Sequence, residues 1–191
     1  MPIHVTSSEE MVSPSSSSVR SLVWPINRPL ERITKKPFGL KVSPSDSPVQ
    51  PERFVGYHTG VDFEVFPEET ATDVSISALC DGPVLVRRSA TGYGGLLVQS
   101  CELDGEAITV IYGHLRLSSI SVRIGDTLKA GEVFALLGTG ESAETSGERK
   151  HLHLGIHRGS SQNILGYVTR EPELKNWLDV RSLSSVLQPA P

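Results

Sequence analysis

The sequence has few cysteines, no surplus of basic residues and no long hydrophobic run. Of its 191 residues only Cys80 and Cys101 are cysteines, and their spacing matches neither a CxxC redox pair nor a zinc knuckle. Lysine and arginine number 18 against 22 acidic residues, a formal net charge of −4. No basic excess is therefore present to neutralise nucleic-acid phosphates, and no run approaches the roughly 18 apolar residues that span a bilayer. These absences argue against a nucleic-acid partner and a transmembrane segment in this chain.

The chain is nevertheless long and apolar enough to bury a core. Changes in amino-acid composition along the chain divide it into three parts. Residues 1–20 contain the tract SPSSSS at 13–18, which predicts a flexible tail. Residues 21–52 carry six prolines but also Trp24, Ile26 and Phe38. Proline excludes long helices and central strands, so we expect an extended segment packed on the body. Residues 53–191 are expected to form one β domain.

Short β-like runs separated by glycine dominate this third part. Each run has β-branched or alternating residues, and the runs are 74–78, 83–87, 95–101, 108–112, 121–124, 133–137 and 151–157. This pattern predicts a mainly β fold, an antiparallel sandwich or open barrel. Pro172, followed by Leu174, Trp177 and Leu178 at helical spacing, predicts one short C-terminal helix.

Histidines occur in three separate motifs within the β-rich region. His58 and Asp62 flank a glycine in GYHTGVD, and His114 follows the run 108–112 in YGHL. His151 and His153 alternate with leucines, so on a strand both side chains project from one face. Imidazole and carboxylate groups are ligands of first-row metals. Taken singly, each motif also fits an ordinary loop or surface histidine.

The order HxxxD, YGHL, HxH within β-rich sequence resembles that of the lysostaphin/LytM-type zinc metallopeptidases, which cleave peptide bonds of bacterial peptidoglycan. The resemblance extends over about residues 56–156 and includes the glycine-rich connectors at 81–82, 92–95 and 122–131. It implies a β-sandwich of the barrel-sandwich hybrid type with a duplicated hybrid motif. It also implies that the chain is a zinc-dependent endopeptidase that uses a metal-activated water.

The resemblance further implies a role for each motif residue. His58, Asp62 and His153 would hold one Zn²⁺ per chain, and His114 and His151 would be the two catalytic histidines. Two imidazoles and one carboxylate leave a fourth position open for water, as catalytic zinc sites require. His157 lies about 13 Å along the strand from His153, beyond coordination distance, and is left out, as is His4 in the tail.

Further residues receive weaker assignments. The polar loop 138–150 precedes His151, so Ser142 and Thr145 are expected to bind substrate, with Tyr93 as another wall of the groove. Cys80 and Cys101 are expected either to pack in the core or to pair between strands, and we favour free buried thiols.

Three alternatives to an endopeptidase remain. A non-catalytic relative of the same fold would bind and regulate another wall hydrolase. A biotinyl or lipoyl carrier would share the hammerhead-like run 122–131, but Lys129 lies inside that turn and not at an exposed hairpin tip. A structural zinc domain would use cysteine ligands. We expect a monomer that acts on peptidoglycan peptides in the cell envelope or outside the cell, with a signal or anchor that this chain does not include.

Overall fold

The fold is described from a computed structural model, which describes residues 22–191. The tail predicted for residues 1–20 lies outside the described residues. Within the described part, most of the regular secondary structure consists of β-strands, many of them short. The strands are β1 (Leu22–Val23), β2 (Lys41–Val42), β3 (Gly56–His58), β4 (Gly60–Glu64), β5 (Ser75–Ser77), β6 (Gly82–Ala90), β7 (Gly94–Leu103), β8 (Glu106–Gly113), β9 (Thr127–Leu128), β10 (Val133–Leu136), β11 (His151–Arg158), β12 (Tyr167–Val168) and β13 (Leu187–Gln188).

The largest sheet has six strands in the order β4-β11-β8-β7-β6-β9, and its ladders are antiparallel. A second sheet pairs β10 with β5. Apolar side chains from both sheets form the main core, where the rings of Tyr112 and Phe134 meet edge to face at 5.1 Å. The sheets do not close into a barrel. The predicted mainly β class with antiparallel sheets is confirmed.

The helices among the described residues are few and short. One α-helix, α1, spans Pro29–Arg32, and five 3₁₀ helices occur at Pro67–Glu69, Leu117–Ser119, Ala143–Thr145, Glu171–Asn176 and Val180–Leu183. The short helix predicted from Pro172 is the 3₁₀ helix Glu171–Asn176. The helix ends at Asn176 because Trp177 has extended backbone. The indole of Trp177 is buried, and its centroid lies 4.8 Å from that of the His157 ring.

The start of the described chain contributes to the main core. Leu22, Trp24 and Ile26 are buried, and the indole of Trp24 meets the ring of Phe63 on β4 at 6.3 Å. β1 pairs in parallel with β13 near the C-terminus. β2 pairs with β3, so that β12-β3-β2 form a three-stranded antiparallel sheet. This small sheet carries His58.

Cys80 and Cys101 form a disulfide, with their Cα atoms 6.0 Å apart. The preference for free buried thiols is therefore wrong. The cysteines pair, as the alternative predicted, but only Cys101 lies on a strand, since Cys80 is in the connection between β5 and β6. The pairing depends on the strand ladder, because β7 places Cys101 beside the segment that leads into β6. None of the helices in the described residues is long and apolar enough to cross a membrane.

Candidate metal centre

Strand register brings the histidine motifs together at one edge of the six-stranded sheet. In the antiparallel pair of β4 and β11, His153 lies opposite Asp62 and His151 lies opposite Glu64. On the other side of β11, His153 lies opposite Gly113, the residue that precedes His114. Directly opposite residues on one face have Cβ atoms about 5 Å apart. The sheet therefore brings together motifs that are about 40 to 90 residues apart in sequence.

Gly60 allows His58 and Asp62 to approach β11 closely. A Cβ atom at this position would lie 2.5 Å from the carbonyl oxygen of Leu154 and 2.8 Å from the ring of His153. Any larger residue would push β4 and the His153 imidazole apart. This close approach explains the glycine within the HxxxD motif.

The donor atoms of His58, Asp62 and His153 form a nearly regular triangle. His58 Nε2 lies 3.0 Å from His153 Nδ1 and 3.3 Å from Asp62 Oδ1, and His153 Nδ1 lies 3.1 Å from Asp62 Oδ1. The three side chains are at most 5% exposed. Within the described residues, this trio is the group of metal-ligating side chains whose donor atoms converge.

The triangle fits a zinc ion. Around a tetrahedral zinc ion with bonds of about 2.1 Å, two ligand atoms lie about 3.4 Å apart. The three distances between the donor atoms of the triangle, 3.0, 3.1 and 3.3 Å, are close to this value. Two neutral imidazoles and one carboxylate form the type of donor set found in catalytic zinc sites, with one position left for water. The three residues are those that the sequence assigned as ligands.

Backbone carbonyls determine the tautomers of three of the histidines. Nδ1 of His58 lies 3.2 Å from the carbonyl oxygen of Pro37, Nδ1 of His114 lies 3.2 Å from that of Thr145, and Nδ1 of His151 lies 2.9 Å from that of Arg149. A carbonyl oxygen only accepts, so each Nδ1 carries a proton, and in the neutral form of each ring the lone pair is on Nε2. His153 differs, because its Nδ1 belongs to the triangle and its Nε2 lies 3.4 Å from the hydroxyl of Tyr93.

The second oxygen of Asp62 faces away from the triangle. Asp62 Oδ2 accepts a hydrogen bond from Arg149 at 2.8 Å and lies 3.2 Å from Nε2 of His151. Arg149 also donates to Glu64, which is two residues further along the same face of β4. Burial by itself raises the pKa of Asp62, but the neighbouring His151 and His58 lower it well below its usual value. Asp62 is therefore an anion in this site.

His114 and His151 stand beside the triangle without belonging to it. Their ring centroids are 4.2 Å apart, and both side chains are buried. His114 adopts a left-handed backbone conformation, with φ of +62°, which costs a residue other than glycine of the order of 1 kcal/mol. Burial, with the nearby His151, lowers the pKa of His114 well below its usual value, so its imidazole is neutral.

A cavity of about 330 Å³ opens onto these side chains. Asp62, His114, His151 and His153 line one part of it. The remaining wall includes aromatic and aliphatic side chains, namely Phe54, Tyr93, Ile164, Leu165 and Tyr167, and the charged residues Lys36, Glu148 and Arg149.

The three residues expected to bind substrate lie in different surroundings. Tyr93 lines the cavity, but it is buried and its hydroxyl faces His153. Thr145 is fully buried, and its hydroxyl bonds to carbonyls of its own loop. Ser142 caps the 3₁₀ helix Ala143–Thr145. Neither Ser142 nor Thr145 lies on the cavity wall, and their contact with substrate stays a prediction.

Sequence reasoning did not identify Arg149, Glu64 or the carbonyl of Pro37 as parts of the site. Glu64 had one available signal, because it lies two residues after Asp62 and therefore on the same face of a strand. Arg149 lies next to the HxH motif in a loop whose path depends on tertiary structure. His157, which the sequence analysis left out, packs on Trp177 and is not part of the triangle.

Comparison with known proteins gives the family and the fold of the chain. The model of peptidase family M23 matches residues 56–164. Among solved structures, LytU is 23% identical with a TM-score of 0.54, covering 81% of this chain and 84% of that chain. CbpA from L. salivarius REN is 20% identical with a TM-score of 0.52, covering 85% and 94%. A chain of the SpoIIIAH–SpoIIQ complex is 17% identical with a TM-score of 0.55, covering 85% and 99%. These structures share the fold, and no curated protein matches the chain.

Proposed function

The chain belongs to peptidase family M23, and on this premise we propose that it is a zinc-dependent endopeptidase that hydrolyses peptide bonds of bacterial peptidoglycan. The observation that carries the proposal is the triangle of His58 Nε2, Asp62 Oδ1 and His153 Nδ1 beside two further buried imidazoles. A site that only stores a metal would have no use for His114 and His151, whose Nδ1 atoms donate to carbonyls and whose Nε2 atoms have no carbonyl partner within residues 22–191.

In this proposal His58, Asp62 and His153 hold the metal. When bound, a zinc ion supplies Lewis acidity that polarises a carbonyl group and acidifies water. Asp62 contributes the only negative charge among the three ligands. Arg149 restrains it through Oδ2, which leaves Oδ1 for the triangle.

His151 is the proposed general base. Its Nδ1–H donates to the carbonyl of Arg149, so that Nε2 is the nitrogen that takes a proton from the attacking water. Asp62 Oδ2 lies 3.2 Å from this nitrogen, and its negative charge stabilises the imidazolium that results. His151 then returns the proton to the leaving amine.

His114 is the proposed second catalytic histidine. The carbonyl of Thr145 accepts from its Nδ1–H, and His114 lines the cavity. Because its imidazole is neutral, Nε2 accepts a hydrogen bond from the attacking water and orients it. The aromatic and aliphatic wall opposite excludes bulk water from the substrate, which strengthens these polar contacts.

We further propose that the protein acts in the cell envelope or outside the cell, as a monomer. The Cys80–Cys101 disulfide supports this location, because disulfides persist in oxidising compartments. Peptidoglycan peptides lie in the same compartment as such an enzyme.

The test combines metal analysis with digestion of purified peptidoglycan and mass mapping of the released peptides. We expect about one zinc per chain and release of peptides cut at a single type of bond. The Asp62→Asn variant keeps the size of the side chain but loses its charge, and it should lose most of the zinc and all detectable hydrolysis.

Two results would contradict the proposal in different ways. Zinc binding without hydrolysis of any peptidoglycan preparation would support the non-catalytic relative. Full zinc retention in Asp62→Asn would instead remove Asp62 from the ligand set.

A further inference from the structure

The three proposed ligands belong to two different sheets. Asp62 and His153 face each other in the six-stranded sheet, whereas His58 ends β3, the middle strand of the three-stranded sheet β12-β3-β2. Thr59 alone separates β3 from β4. The position of His58 in the triangle therefore depends on the contacts that hold β3 in place.

A short segment before the family match makes those contacts. We define the strap as residues 36–40, which precede the matched residues 56–164 by 16 positions. His58 makes three of its hydrogen bonds with the strap: its N–H donates to Leu40 at 2.9 Å, its carbonyl accepts from Gly39 at 2.8 Å, and its Nδ1–H donates to the carbonyl of Pro37 at 3.2 Å. The N–H of Asp62 donates to the carbonyl of Lys36 at 3.0 Å. The strap therefore holds two of the three ligands.

The side chain of Lys36 anchors the strap. Its Nζ lies 2.6 Å from Oε2 of Glu52 and donates to the hydroxyl of Tyr167 at 3.1 Å. The side chains of Lys36 and Glu52 are 3% and 1% exposed. Tyr167 lies opposite His58 in the pair of β12 and β3, and the two rings are 5.2 Å apart. One ammonium group thus joins the strap to the strand next to His58.

Loss of this ammonium group would leave a buried carboxylate without its counterion. Glu52 also accepts from the N–H groups of Arg53 and Phe54 and from the hydroxyl of Ser47, so it is fixed in place. An unpaired buried charge is strongly destabilising, and water entering to solvate Glu52 would displace the strap. The carbonyl of Pro37 would then move away from His58.

We propose that Lys36 is a positioning residue of the metal centre, which holds the carbonyl of Pro37 on Nδ1 of His58 so that the lone pair of His58 stays on Nε2. A histidine ligand whose other nitrogen donates to a fixed acceptor is held in the ligating tautomer, and loss of such a partner typically lowers metal affinity about 10- to 100-fold. This inference rests on the metal site of the proposed function but not on hydrolysis. It makes a segment outside the family match part of the site.

The experiment measures the tautomer of His58 and the zinc affinity of the same proteins. The tautomer is read from ¹⁵N-imidazole NMR spectra of the metal-free protein, and the zinc dissociation constant from competition with a chelator. We compare the wild type with Lys36→Met, which removes the positive charge of the side chain and keeps its approximate length. The matched control is Lys41→Met, also close to the strap, where the side chain is exposed and lies over the ring of Tyr57.

We expect the Nδ1–H tautomer of His58 in the wild type and in Lys41→Met. Lys36→Met should give a mixture of tautomers and a zinc dissociation constant about 10- to 100-fold higher. If Lys36→Met does not fold, Glu52→Gln tests the same ion pair, because it leaves the buried ammonium group of Lys36 without its counterion and should displace the strap in the same way.

Two outcomes would overturn the inference. One is the Nε2–H tautomer of His58 in the metal-free wild type. The other is a folded Lys36→Met or Glu52→Gln variant with the tautomer and zinc affinity of the wild type. Absence of peptidoglycan hydrolysis by a wild type that binds zinc would reject the proposed function and leave this inference standing.

Discussion

Hydrogen-bond partners decide which nitrogen each histidine of the site leaves without a proton. Nδ1 of His58, His114 and His151 each donates to a carbonyl, which leaves the lone pair of the neutral ring on Nε2. His153 has the opposite arrangement, since its Nδ1 faces Asp62 and its Nε2 faces Tyr93. Chemically identical side chains therefore present different nitrogens to the site because their hydrogen-bond partners differ.

Replacement of the two proposed catalytic histidines should separate metal binding from catalysis. His114→Ala and His151→Ala leave the triangle of donor atoms intact, so both variants should bind zinc with a stoichiometry near that of the wild type. Their kcat for peptide hydrolysis should fall by about 10²-fold or more, the usual effect of losing a general acid or base.

His157→Ala is the matched control for these variants. His157 lies on the same strand face as His151, but it packs on Trp177 outside the cavity. The kcat of the His157→Ala variant should stay close to that of the wild type. A loss of zinc in His151→Ala would show that His151 is a ligand.

At the scale of the strand, the close packing of β4 against β11 brings Asp62 and His153 of the triangle together. Gly60 and Gly155 lie directly opposite each other in this pair, yet they differ in the space around them. A Cβ at Gly60 would lie 2.5 Å from a carbonyl oxygen, whereas one at Gly155 would meet its neighbours at 3.5 Å, an ordinary contact. The two glycines allow a comparison of the same substitution in one strand pair.

Gly60→Ala should lower the free energy of unfolding by about 1–3 kcal/mol, the usual cost of overpacking, and weaken zinc binding because the His153 ring must move. Gly155→Ala should leave both quantities near the wild-type values. Denaturant unfolding and chelator competition measure them. Equal effects at the two positions would contradict the assignment of close packing to Gly60.

The extended segment at the start of the described chain adds another element to the core. Trp24→Ala removes a buried indole that contacts Phe63 and should lower the free energy of unfolding by about 3–5 kcal/mol. Leu30→Ala in the same segment is the control, since Leu30 is 59% exposed and surface changes stay within about 0.5 kcal/mol. A Trp24→Ala protein with wild-type stability would show that the segment only covers the body.

At the scale of the whole molecule, the buried imidazoles make the stability of the metal-free protein depend on pH. Burial lowers the pKa of His153 to about 4 and lowers that of His114, whereas an unfolded chain has a histidine pKa of about 6.5. Between these values the unfolded chain binds more protons than the folded protein. Stability from these groups is therefore complete above about pH 6.5 and is lost as the pH falls towards 4.

We expect the free energy of unfolding in the presence of a chelator to fall by about 1–3 kcal/mol from pH 7 to pH 4.5. Urea unfolding at a series of pH values measures it. The His114→Gln variant, with one titrating ring fewer, should show a shallower dependence. A flat profile for the wild type would contradict the neutral state of these rings.

The amino-acid sequence by itself determined the mainly β class and the family, and through the family resemblance it pointed to His58, Asp62 and His153 as the proposed ligands. Alternation of polar and apolar residues follows from strand geometry, so the HxH pattern is sufficient to place His151 and His153 on one face. The spacing of His58 and Asp62 about Gly60 carries similar information. Both signals consist of side chains that are close together in the sequence, and for that reason they can be recognised without a structure.

Tertiary structure alone decided which groups surround those ligands. The carbonyl of Pro37, the guanidinium of Arg149 and the Cys80–Cys101 pairing depend on strand register and on the path of loops between distant parts of the chain. A backbone carbonyl has the same chemistry at every residue, so no sequence pattern marks the one that meets His58. The bounds of the C-terminal 3₁₀ helix likewise depend on tertiary structure, since Trp177, which follows Asn176, has extended backbone and packs on His157.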